Sequence, residues 1–145
     1  MRSLKSFESF IEDGTVAKIS PDLNRASFLK KESAKRKAFL DEIQEKIGLS
    51  KDNANYVIEN SYNIILEFLR GKMLEMGYSA SGTGAHEAEV SFMKILLFPD
   101  NDVKFMDEVR FFRNGILYHG KILDKEYAEK VLNFLNKIYP KLEKL

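Results

Sequence analysis

The segment Tyr56-Val57-Ile58-Glu59-Asn60-Ser61-Tyr62-Asn63-Ile64-Ile65-Leu66-Glu67, continued to Gly77, decides the fold class. Ile58, Tyr62, Ile65, Leu69, Met73 and Met76 recur at intervals of 4, 3, 4, 4 and 3 residues, the spacing of one helical face. Ser50 is placed to cap its start, with Asn53 where a capping box carries Glu. Gly77 supplies the stop.

The same reading extends outward. Upstream, Asp22 to Ile47 predicts a helix whose apolar positions are Phe28, Ala38, Phe39, Ile43 and Ile47, ended by Gly48. Its middle, Lys30 to Lys37, is strongly basic and reads first as a solvated face, with an RNA-facing patch as the functional alternative. Residues 1–21 have poor periodicity and predict a short helix or extended arm leading into the bundle. Downstream, Ser79 to Gly84 reads as a flexible connector. Its glycines suggest a phosphate cradle, but no strand is predicted before them and no Lys-Ser/Thr pair follows. A helix is predicted from Ala85 to Phe98, another over 102–119, and a last one capped by Asp124. The expected architecture is all-α, an up-and-down bundle of four to five helices over residues 22–145.

Composition narrows the function classes. The chain has 145 residues, of which 44% are hydrophobic, enough to core one domain. With 23 basic and 22 acidic residues the net charge is +1, which argues against coating nucleic acid by bulk charge but allows a local basic site. The absence of cysteine rules out disulfides, zinc–thiolate centres and cysteine nucleophiles. The only histidines are His86 and His119, so neither a histidine-rich metal site nor a cofactor is expected. No window approaches the roughly 18 apolar residues of a spanning helix, and no signal-peptide pattern opens the chain, so a cytoplasmic location is expected.

The polar chemistry sits on helix 102–119. Phe105, Val109, Phe112, Ile116 and His119 form a stripe roughly 80° wide at about 100° per residue. Arg113 lies about 120° around from His119 and about 9 Å away along the axis, so the two do not share a narrow face. Cooperation is simplest if a second subunit supplies one set. A histidine exchanges protons near neutral pH, an arginine fork suits phosphate oxygens, and Asn114 adds an amide donor. Such a set suits RNA cleavage by the substrate's own 2′-hydroxyl, where the protein supplies only acid–base help and charge stabilisation. From spacing alone, a terminal histidine near the helix end and a surface ion-pairing arginine are the first reading, with the RNA-cleaving set as the alternative. His86, at a helix start, reads mainly as a capping or surface residue, with a contribution to an RNA groove as the alternative. Glu67 and Arg70 read as a pair three residues apart, with orienting the active-site histidine as the lesser reading.

Arg113-Asn114 followed five residues later by His119, late in a helical bundle, resembles the R-x(4–6)-H signature of the HEPN superfamily. The resemblance spans about Asp22 to Leu142. The segment Tyr56 to Glu67 is similar to the family's second core helix, and Gly84-Ala85-His86-Glu87 to its following loop. It implies a bundle that dimerises through the motif helices and acts as a metal-independent endoribonuclease of the toxin–antitoxin, defence or RNA-processing kind. Arg113 would then neutralise the scissile phosphate, His119 would be the acid–base group and Asn114 would support it. Arg110, Tyr118 and Lys121 flank the motif as candidate RNA contacts. A nucleotidyltransferase-type antitoxin is the implied partner, but Lys121 stands where such toxins carry the tyrosine of a His-x-Tyr ending. The alternative is a catalytically silent HEPN-like module that binds a nucleotide or a protein.

Overall fold

A computed structural model describes residues 3–119 and 123–145, with side chains for all of these except 117–119. In chain order the elements are α1 (Phe7–Glu12), β1 (Val16–Lys18), α2 (Leu23–Lys46), α3 (Ala54–Glu75), β2 (Tyr78–Ala80), α4 (Ala85–Ile95), α5 (Asp100–His119) and α6 (Lys125–Glu143). The fold is a helical bundle, as the periodicity predicts, with two short strands added. No helix among the described residues is long and apolar enough to cross a membrane.

α3 is the axis of the bundle and packs on α2, α4, α5 and α6. The predicted stripe is only part of its buried surface: Val57, Ile64, Leu66, Phe68 and Leu74 are buried as well, while Met76 at the end of the stripe is exposed. A helix apolar around most of its girth belongs in the middle of a core. Its cap is Asn53 rather than Ser50. The Asn53 amide oxygen accepts from the Ser50 N–H at 2.9 Å, and its amide nitrogen donates to the Gly48 carbonyl at 2.8 Å, closing the α2–α3 turn.

α2 starts and stops as predicted. The Asp22 carboxylate accepts from the Arg25 N–H, and Gly48 takes the left-handed conformation just past the end. Its buried face is not the predicted one. Phe28, Phe39 and Ile47 are exposed, while Ala26, Ser33 and Leu40 are buried. The reason is close approach. A Cβ added at Gly71 of α3 would stand 3.1 Å from the Ala26 carbonyl oxygen and 3.2 Å from Lys30 Cγ, so small residues are needed along the seam. The Ser33 hydroxyl meets α3 by donating to the Ile64 carbonyl at 2.7 Å.

The predicted arm and connector are also more ordered than expected. β1 pairs antiparallel with β2, Val16 opposite Ala80, so the connector contributes a strand. Phe7, Phe10 and Val16 join Met73, Ala88 and Phe92 in a second small core. α4 ends at Ile95, before the expected Phe98, where Leu97 turns into positive φ. α5 and α6 meet through Phe105, Tyr127 and Phe134, and the Tyr127 hydroxyl donates to Glu108 at 2.8 Å.

Candidate anion pocket around Arg113

α5 brings Arg113 over α3. Its guanidinium carbon lies 5.3 Å from the centre of the Tyr62 ring, the geometry of a cation on an aromatic face. Tyr62 is fully buried, and its ring centre is 6.3 Å from that of His86 at the start of α4. Arg113 and His86 share a cavity of about 190 Å³ with Arg36 from α2 and with Asn63, Glu67 and Arg70 from α3. Four helices therefore converge on one small polar pocket.

Three arginines here are tied to carboxylates. Arg36 Nε lies 2.9 Å from Glu67, Arg70 makes a two-pronged contact to Glu89 at 2.6 and 3.1 Å, and Arg110 Nε donates to Asp107 at 2.8 Å. Arg113 differs. Its Nε is buried and has no hydrogen-bond partner among the described residues, and the same is true of the Tyr62 hydroxyl. Burial outweighs the pull of the Arg113 and Arg110 charges and pushes the Tyr62 phenol pKa upward, so the hydroxyl stays protonated at neutral pH. Two buried donors side by side without acceptors are costly unless a ligand or water meets them. Tyr62 lies outside the pocket lining, whereas Arg113 is part of it, so the guanidinium is the group placed to offer paired donors to an oxyanion such as phosphate there.

His86 is half-buried here rather than a surface cap. Burial lowers its pKa, and the Arg113, Arg70 and Arg110 charges lower it further against the opposing pull of Glu89. Below the ordinary value of 6.5 the unfolded chain therefore takes up this proton before the folded one does. Stability from this residue is complete above that value and is lost progressively as pH falls from it through the lower folded-state value. His86→Gln, which cannot titrate, should lose less unfolding free energy than the wild type between about pH 7.5 and about pH 5.5 in urea titrations. Equal losses would show that the imidazole proton is not coupled to the fold.

The sequence-derived candidates distribute as follows. Arg113 lines the pocket, Asn114 is half-buried on the same helix, and Arg110 is held by Asp107 one turn earlier. The backbones of Tyr118 and His119 belong to the last turn of α5, but their side chains, and Lys121 entirely, lie outside the described residues. Glu67 and Arg70 do not pair with each other, as their spacing suggests; each reaches a different helix, Glu67 to Arg36 and Arg70 to Glu89. Arg36, Arg70 and His86 come to the pocket from three other helices, with Tyr62 against the Arg113 guanidinium, and no short motif joins the three. Among the described residues no cluster of three His, Asp or Glu side chains is placed to hold a metal ion. No family model, curated protein or solved structure matches the chain.

Proposed function

We propose that the protein is a metal-independent endoribonuclease of the HEPN kind, acting as a homodimer in the cytoplasm. The observation that carries this reading is Arg113, a guanidinium stacked on a buried tyrosine, lacking a carboxylate partner among the described residues and opening into a pocket shared with Arg36, Arg70 and His86. In the proposed reaction the RNA 2′-oxygen attacks the adjoining phosphorus and loses its proton to a base. The bond to the 5′-oxygen breaks, and that oxygen takes a proton from an acid. The products are a 2′,3′-cyclic phosphate and a 5′-hydroxyl. Arg113 neutralises the non-bridging oxygens and His119 moves the protons, with Asn114 in support. Because these two residues diverge around α5, the site is composite, with motif helices from two subunits. A toxin or defence role, with an antitoxin of the nucleotidyltransferase type as partner, belongs to the same proposal. Lys121 in place of the acceptor tyrosine argues that any silencing takes another form.

The test is cleavage of end-labelled RNA with EDTA present, with identification of the product ends. Wild type should cut and leave a cyclic phosphate, and His119→Ala should lose about a hundredfold or more of the rate. A His119→Ala enzyme that cuts like wild type would sink the assignment. Nucleotide binding by calorimetry without any cleavage would instead favour the silent-module alternative.

A further inference from the structure

A second cavity adjoins the Arg113 pocket and shares one wall with it. It measures about 290 Å³ and is lined by Lys35, Arg36, Phe39 and Leu40 of α2 and by Tyr56 and Asn60 of α3. Phe39 is 58% exposed and Tyr56 43% exposed, although both are large aromatic side chains. Single exposed rings are ordinary on a protein surface. Here two rings from different helices open into one cavity. Two cations stand in its lining and no carboxylate does, although Arg36 is held through Nε by Glu67, which lines the neighbouring pocket. Lys35 is 75% exposed and only 3.4 Å from Glu32, a loose surface pair that a stronger anion displaces at little cost. Arg36 connects the two cavities, since it lines both.

We infer that this α2–α3 groove is a base-binding subsite for single-stranded RNA, in which one base stacks at Phe39 and Tyr56 and the neighbouring phosphate lies on Arg36 beside the Arg113 pocket. The inference rests on the RNA-cleavage reading above and adds the strandedness of the substrate and the residues that hold a base next to the cut. Aromatic rings interleaved with cations are the surface that an unpaired strand requires, because each nucleotide presents one flat apolar ring and one anion. A base inside a duplex is already stacked and cannot enter such a groove. A second copy docked through this same groove would bring Lys35 and Arg36 against cations of their own kind, so charge favours the nucleic acid over a symmetric subunit contact as occupant.

The experiment measures binding apart from cleavage. A fluorescein-labelled 2′-O-methyl oligonucleotide, whose blocked 2′-oxygen cannot attack, is titrated in fluorescence anisotropy. The same strand annealed to its complement is titrated alongside it. Phe39→Ala/Tyr56→Ala should weaken single-strand binding about tenfold or more, whereas Tyr56→Phe, which keeps the ring, should stay within about twofold of wild type. Duplex binding should be weaker than single-strand binding and insensitive to the double substitution. Unchanged single-strand binding by the double variant would overturn the subsite. So would loss of binding accompanied by a halved mass in sedimentation, which would make the patch a subunit contact. Wild type that binds the strand but never cuts RNA would remove the cleavage reading and leave the subsite standing. Wild type that cuts RNA while the double variant binds normally would do the reverse.

Discussion

Arg113→Ala should lower metal-free RNA cleavage by about a hundredfold or more while the fold stays intact, since losing one preorganised donor at a developing charge has a cost of that order. The separation of activity from stability follows from where the residue sits. Arg36, Arg70 and Arg110 each hold a carboxylate, so removing any of them disturbs a pair. Arg113 holds none among the described residues, and its Nε is a buried donor left unmet. Truncation forfeits the stacking on Tyr62, worth about 0.5–2 kcal/mol, but also removes that unmet donor, so the net change in stability should be within about 1 kcal/mol. Arg113→Lys should rescue little, because an ammonium gives a point charge instead of two parallel donors and cannot stack as a plane. Cleavage rates in EDTA and urea midpoints for the three proteins decide the matter. An alanine variant that unfolds would make Arg113 a structural residue. One that is stable and fully active would remove it from the chemistry.

How legible this site was depends on the range of the interactions. Helix existence was local: the 4-3-4-4-3 spacing on α3, Asp22 and Gly48 around α2, and Asp124 before α6 are each signals within a few residues, and the structure carries them. The buried face of α2 was not legible, because a helix that approaches its neighbour at Gly71 hides Ala26 and Ser33 and leaves Phe28 and Phe39 outside. Apolar spacing follows the core only where side chains, and not backbones, fill the gap. The β1–β2 pair was invisible for a different reason: three residues a side give no alternation to count, and the partners are far apart in the chain. In the pocket, Arg113 belongs to a short motif and could be singled out. His86 and Arg70 stand in the sequence only as lesser alternatives and Arg36 only as part of a basic run, since only the tertiary packing of α2, α3 and α4 brings them to it. The misreading of Glu67 with Arg70 has the same origin. An i,i+3 pair is the default on an isolated helix, but Arg36 and Glu89 from neighbouring helices offered partners with better geometry.

Arg70→Met should destabilise the protein by about 3 kcal/mol, and more than Glu89→Gln does, although the two substitutions break the same contact. The asymmetry comes from burial. The Glu89 side chain is 2% exposed and that of Arg70 is 37% exposed. Without Arg70 the carboxylate stays in the interior with its charge uncompensated, and methionine keeps the aliphatic stem, so lost packing contributes little. Without the Glu89 charge the guanidinium still reaches water, and the glutamine oxygen can still accept from Arg70 Nε, so the loss should be about 1 kcal/mol. The bidentate contact spans α3 and α4 and holds Arg70 in the lining of the pocket with His86, so the pair also fixes the charge that a phosphate bound there would meet. Glu89→Gln should therefore leave the fold largely stable and keep or strengthen RNA binding, since it removes a negative charge and still holds Arg70 Nε, whereas Arg70→Met should lose both stability and binding. Replacing the pair with apolar residues, as Arg70→Met/Glu89→Leu, should recover most of the stability lost by Arg70→Met and none of the binding, because it removes the unpaired charge without restoring a cation. Urea unfolding at neutral pH for the three variants, beside anisotropy with the same oligonucleotide, reads both quantities. Equal destabilisation by Arg70→Met and Glu89→Gln would mean that the guanidinium is as dry as the carboxylate, and the pair would then be a structural tie and not the wall of a ligand pocket.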